Sequence, residues 1–158
     1  MAYNMVVTGV EELTQMLQKM GDEAQKVASM ALYEGAGEMA NEMERQADSI
    51  ETAPFHFAVF MTRKPSPEEK AALMGKAGIA KFDKNGTEVN TAVGYGNAGY
   101  ADVAGKQKPV PQIANAINSG TSFMQKQPFV RRAAASGGPR ASKKIVDYIE
   151  KAFEEMDK

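Results

Sequence analysis

The chain has no cysteine, no tryptophan and a single histidine. Without cysteine there is neither a disulfide nor a thiolate metal site. The lone His56 lies between Phe55 and Phe57, with no Asp or Glu at ligand spacing. It therefore reads as a packed structural histidine, not a metal ligand or general base. No run approaches the ~18 apolar residues of a membrane span. No N-terminal apolar stretch follows a basic one, so no signal peptide is expected. Nucleophile-elbow, P-loop and zinc spacings are missing as well. Gly94, Gly96 and Gly99 have Gly-x-Gly-x-x-Gly spacing, but neither a helix nor a downstream acid continues it, so it reads as a loop. The expectation is a protein that is not an enzyme and uses no cofactor, metal or membrane.

Acids are missing from one whole region. Between Asp102 and Asp147 there is none, while Lys106, Lys108, Lys126, Arg131, Arg132, Arg140, Lys143 and Lys144 fall there. Residues 1–51 are the opposite, with ten acids against three bases, so the two regions nearly cancel, and the whole chain has a net charge of −1. Such asymmetry has two readings. The halves neutralise each other within the chain or are simply solvated, or one faces a partner or nucleic acid. Glu34, Glu38 and Glu42, at steps of four, form a candidate stripe complementary to Arg131 and Arg132 of another copy. The two arginines fall in the first turn of a helix, where the macrodipole disfavours cations.

At 158 residues, 43% apolar and 25% charged, the chain has the length and composition of one globular domain, 1–158. Eleven methionines fill the core of a chain lacking cysteine and tryptophan, or provide adaptable interface packing. Tyr3–Val7 alternates as a short strand, and Val10, Leu13, Met16, Leu17 and Met20 then recur at helical spacing up to Gly21. From Asp22 a longer helix carries the stripe Ala28, Leu32, Ala36, Met39, Met43, Ala47, Ile50. Gly35 and Gly37 inside it each cost about 1 kcal/mol relative to Ala, for a close backbone approach or a break.

Ser66 and Glu69 make a capping box with Pro67 at the first helical position, opening a short helix to about Lys76. Residues 78–95 read as a β-hairpin closed by Asp83-Lys84-Asn85-Gly86, with Val89, Thr91, Val93 and Tyr95 on one face. Residues 52–67 and 96–111 read as extended surface loops, ordered by neighbouring subunits. A helix is expected over 110–117 and another from Pro128 to about Ala135. Ser136-Gly137-Gly138 breaks that one, and Pro139 starts a last amphipathic helix on Ile145, Ile149, Ala152 and Met156. The order gives an α+β fold: a small antiparallel sheet packed with a long N-terminal helix and a C-terminal amphipathic helix.

One run is more specific than any of these. Gly120 suits a turn at positive φ, Pro128 a helix start, and Phe129 and Val130 an apolar anchor. The series Ser119-Gly120-Thr121-Ser122, then Pro128-Phe129-Val130-Arg131-Arg132-Ala133, resembles the Gly-Thr-Ser…Pro-Phe-Leu-Arg-Pro-Ala signature of tail-completion (head–tail joining) proteins of long-tailed bacteriophages, counterparts of the lambda Z protein. The opening Val7-Thr8-Gly9-Val10-Glu11-Glu12-Leu13 and Val93-Gly94-Tyr95 look like that family too. The resemblance implies a structural virion protein, made in the host bacterial cytoplasm and located in the neck at the tail end. It would complete the tail and join it to the head connector as a closed, sixfold ring. Its partners would be copies of itself and other neck and tail-tube proteins, with DNA passing non-specifically through the lumen. Gly120, Thr121, Pro128, Phe129, Arg131 and Arg132 would be the motif and interface residues. The alternative function is a monomeric accessory nucleic-acid-binding protein using the basic 103–146 segment.

Overall fold

In the computed structural model the described residues are 3–4, 22–54, 61–85 and 88–156. The helix expected over Val10–Met20, the rest of the Tyr3–Val7 strand, and His56 with its phenylalanine neighbours lie outside them. The architecture is α+β, as the element order implies.

Two long helices form the backbone of the fold. Helix α1 spans Asp22–Asp48 and helix α4 spans Phe129–Met156. They pack antiparallel: Ser136 and Arg140 of α4 meet Glu42 of α1, while Tyr148 donates to Met30 near the other end. The α1 stripe falls where its period places it, with Ala36, Met39, Met43 and Ala47 buried and Ala28 and Leu32 half-buried; Ile50, also buried, lies just past the end of the helix. Gly35 is the point of close approach. A Cβ there would stand 2.6 Å from the Ile145 side chain and 3.2 Å from the Ala141 carbonyl. Gly37 has nothing within 4 Å of its Cβ position.

The break expected at Ser136–Pro139 does not occur: α4 is one helix of 28 residues with Pro139 inside it. Local preference alone opposes this, at roughly 1 kcal/mol for each glycine and 3 for proline. Packing overrides it. Gly137 lies against α1 so closely that a Cβ would come within 3.1 Å of Met39 and Glu42, while Pro139 faces solvent.

Strand β5 (Ala92–Gly94) is central in a three-stranded antiparallel sheet, between β1 (Tyr3–Asn4) and β2 (Gly78–Ile79). Val93 stands opposite both Tyr3 and Ile79. A second ladder joins β3 (Asp83–Asn85) to β4 (Glu88–Asn90), with Asn85 opposite Glu88. Asp83–Asn85 is therefore strand, not the turn expected over Asp83–Gly86. Between the ladders the register slips by one residue. Ala80 donates to the Ala92 carbonyl, but Asp83 pairs with Asn90, so Lys81 and Phe82 together oppose Thr91. This is a β-bulge, stitched by Thr91 Oγ1 donating to the Ala80 carbonyl. Thr91, Val93 and Tyr95 share the buried face, and Val89 is half-buried.

The segment 96–111 is not a loop. It holds β6 (Tyr100–Val103) and β7 (Lys106–Pro109), an antiparallel hairpin in register from Tyr100↔Pro109 to Val103↔Lys106. Ala104 and Gly105, at φ 53° and 74°, close it with two positive φ values. The Ala104 amide donates to Glu68, and the Gly105 amide to Asp102. Helix α2 (Pro67–Ala71) has the expected capping box: the Glu69 amide donates to Ser66 Oγ and the Ser66 amide to the Glu69 carboxylate. Helix α3 (Val110–Ser119) buries Ile113 and Ile117. Phe129, Met43, Leu73, Ile117 and Val110 lie at the centre of the main core, with a smaller cluster of Ala31, Ile145 and Ile149 further along the long helices.

Candidate functional site

The motif segment folds into a knot of local bonds between α3 and α4. Gly120 ends α3 at φ 76°, its amide donating to the Ala116 carbonyl. A side chain there would be doubly excluded, since a Cβ would also meet Lys126 at 3.0 Å. Thr121 Oγ1 accepts from the Phe123 and Met124 amides, and the Gln127 amide returns to the Ile117 carbonyl. The Pro128 carbonyl accepts the first helical bond, from the Arg132 amide. The Val130 amide, otherwise unmatched at a helix start, donates to Asn118 Oδ1 at 3.1 Å.

Phe129 is the anchor of this segment. It is fully buried, with its ring 6.0 Å from that of Tyr95. Of the two roles open to it, folding anchor or exposed docking residue, burial selects the first. The loop beneath displays Phe123, 75% exposed, beside the chain that carries Met61, 77% exposed. These strands run parallel: the Arg63 amide donates to the Phe123 carbonyl and the Gln125 amide to the Arg63 carbonyl. Arg63 also grips buried Glu69 through two bonds of 2.7 Å. Burial alone would raise the Glu69 carboxyl; Arg63 and the Ser66 amide hold it below its ordinary value. The described parts of 52–67 are thus tied down within the chain.

Two acids of the stripe, Glu38 and Glu42, find partners within the chain, and among the described residues no ion pair joins the stripe to Arg131 or Arg132 of the same chain. Glu38 pairs with Lys144 and with Arg140, each at 3.0 Å. Glu42 is 2% exposed and receives Ser136 Oγ at 2.6 Å, Gln46 at 2.9 Å, and the guanidinium groups of Arg45 and Arg140. The Ser136 and Gln46 bonds, with Arg140, lower the Glu42 carboxyl from 4.5 to about 2 against the opposing effect of burial. Lys144 chiefly lowers Glu38, and Glu42 chiefly raises Arg140. Two of the acid-rich helix's carboxylates therefore meet the acid-free region inside one protomer.

Arg131, Arg132 and Lys126 remain exposed, and no ion pair within 4 Å reaches them among the described residues, though Arg132 is near enough to help hold the Glu51 carboxyl below its ordinary value, an effect that comes chiefly from Lys64. Sequence reasoning missed Asn118 as the cap, Ser136 and Arg140 as the Glu42 partners, and the Arg63–Glu69 clasp. The signal for the first was an Asn near a helix end; for the second, small residues that allow close packing.

Among the described residues no cluster of three His, Asp or Glu could hold a metal ion, and no helix is long and apolar enough to cross a membrane. The Gly94/Gly96/Gly99 spacing runs from β5 into β6, with Gly99 at φ 72°. Burial pushes the Tyr95 phenol upward, and its hydroxyl has no hydrogen-bond partner among the described residues. No family model matches the chain, and no curated protein and no solved structure is significantly similar to it.

Proposed function

We propose that this protein acts by assembly, as a ring-forming structural subunit of a bacteriophage neck that completes the tail and joins it to the head connector. The observation that carries the reading is the folded form of 119–132. Gly120, Thr121, Asn118 and buried Phe129 are used to fix the turn, and in doing so they present Phe123, Arg131 and Arg132 outward on a rigid frame. Each residue of the Gly-Thr-Ser…Pro-Phe-x-Arg series then has a physical task, either in building that frame or on its outer face. A heterologous interface repeated with closure gives a ring, and a sixfold one suits a tail tube.

The alternative, a monomeric nucleic-acid-binding protein using 103–146, has less support. Arg140 and Lys144 of that segment are paired with Glu38 and Glu42, and Lys108 stands 3.9 Å from Glu69. The charge left over is confined to fewer sites than sequence-independent phosphate contact would use. Negative-stain micrographs of the purified protein test the choice. Closed rings with a central lumen are expected; monomers that bind duplex DNA in a salt-dependent way would replace this reading with the alternative.

A further inference from the structure

The ends of helix α4 carry charges opposite to those its own dipole favours. The first turn holds Arg131 and Arg132 and no acid; the last holds Glu154 and Glu155 and no base. Cations at an N-terminus and anions at a C-terminus are both unfavourable for an isolated helix. At 28 residues the helix separates them by about 42 Å, so one protomer cannot bring them together.

Each end is also more than a charge cluster. At the N-terminal end the exposed cations Lys126, Arg131 and Arg132 belong to the same turn-and-helix segment as exposed Phe123, whose strand pairs with the one that carries exposed Met61. Of the acids nearby, Glu51 binds Lys64 at 2.7 Å and also feels the charge of Arg132, while Asp48 pairs with Lys70, so the end keeps a net positive charge with Lys126 and Arg131 outside any ion pair among the described residues. At the far end the last turns of α4 lie beside the first turns of α1, as the Tyr148–Met30 bond and the Ala31–Ile145–Ile149 cluster require. Across residues 23–34 and 147–156 there are six exposed acids against two lysines. Met30 and Met156 are exposed among them.

We propose that these two ends are the complementary halves of one head-to-tail interface between copies of this chain. The basic end of one protomer (Lys126, Arg131, Arg132, Phe123) would receive the acidic end of the next (Glu150, Glu154, Glu155, Met156). Apolar residues framed by opposite charge on each side are what a specific interface needs, with charge setting register and partner choice. The arrangement also places the α4 dipoles head to tail, which removes the disadvantage each end has alone. It is heterologous, so it closes into a ring or continues as a filament. The inference rests on the assembly reading above and names the surface that carries it.

The test compares wild type, R131E/R132E, E154K/E155K and an equimolar mixture of the two variants, by sedimentation velocity at 50 and 500 mM salt. All four positions are exposed, and thermal melts confirm that each variant folds. The expected result is association of wild type at low salt, weakened at least tenfold by high salt and by either reversal, with partial recovery in the mixture, where reversed ends meet. Rings that form equally well in all samples would overturn this interface while leaving the ring reading intact. Open filaments with the expected charge dependence would uphold the interface and defeat the ring reading. A wild type that stays monomeric at every concentration would overturn both, as would loss of DNA binding by a monomer as the only effect of R131E/R132E.

Discussion

The middle of the α1–α4 pair and its two ends use the same residue types to opposite effect. In the middle, carboxylates and cations face each other across the helices, Glu38 with Arg140 and Lys144 and Glu42 with Arg140, and Arg45 adds a pair to Glu42 from within α1. Glycines at 35 and 137 let the helices approach, and the acids become part of the fold. At the ends the charges are exposed, each end with one sign in excess, and the terminal turns of α4 carry theirs against the dipole. The difference teaches that a charge-polarised chain need not spend all its polarity on folding. Where the helices touch, neutralisation is internal; where they end, charge stays exposed, which is the charge the proposed interface would use.

The comparison is broken most severely at the join between the two regions. Phe129→Ala should cost about 3–5 kcal/mol, because it empties a fully buried site against Tyr95. Phe123→Ser, six residues earlier on the exposed loop, should change stability by no more than about 0.5 kcal/mol and weaken association instead. Denaturant melts and sedimentation on the two variants separate folding from assembly. Equal losses of stability would show that the loop is not the free surface described.

Next in size is the middle itself. Glu42→Gln should cost about 1–3 kcal/mol, since a buried charge-assisted network loses its acceptor. The pH dependence has a definite sign. The folded carboxyl is held at about 2 against an ordinary 4.5, so its stabilisation is whole above pH 4.5 and is lost as pH falls toward 2. The gap between wild type and Glu42→Gln in melting temperature should therefore narrow in acid. A gap constant from pH 7 to pH 3 would contradict the network.

These features differ in how far they could be read from the chain. The α1 stripe was legible because seven apolar residues keep a helical period, and the capping box because its two residues have a fixed spacing. The continuity of α4 was not. Ser136-Gly137-Gly138-Pro139 is a breaker by local preference, and only the surface of α1, about a hundred residues earlier, makes Gly137 an asset. The 100–109 hairpin was hidden for another reason. Only Val103 of its strands is buried, so no apolar alternation marks it, although Ala104-Gly105 was a turn signal. In the candidate site, the frame residues Gly120, Thr121, Pro128 and Phe129 stood out by type. The division of cations into Arg140 and Lys144, paired with α1, and Arg131 and Arg132, exposed at the helix start, needed the helices in three dimensions.

Two glycines sharpen the account on a smaller scale. Gly37→Ala should stabilise by up to about 1 kcal/mol, because its Cβ meets nothing and the helix gains propensity. Gly35→Ala should not, since its Cβ would press on Ile145 and the Ala141 carbonyl and offset that gain. Thermal melts of the pair decide it: equal stabilisation would mean that the helices are not in close contact there.

The smallest effect is at the ends. Arg131→Glu should leave the fold intact or strengthen it by about 0.3–1 kcal/mol, because an acid suits a helix N-terminus. Chemical denaturation of the monomer at high salt isolates this term. Loss of stability would mean that Arg131 serves the fold after all.

The central claim, assembly through unspent charge, is tested most directly by the mass of the full chain in solution as salt is varied. At low ionic strength the account predicts one closed multiple of the 17.1 kDa chain, dissociating as salt rises. A single 17.1 kDa species at every salt and protein concentration would contradict it.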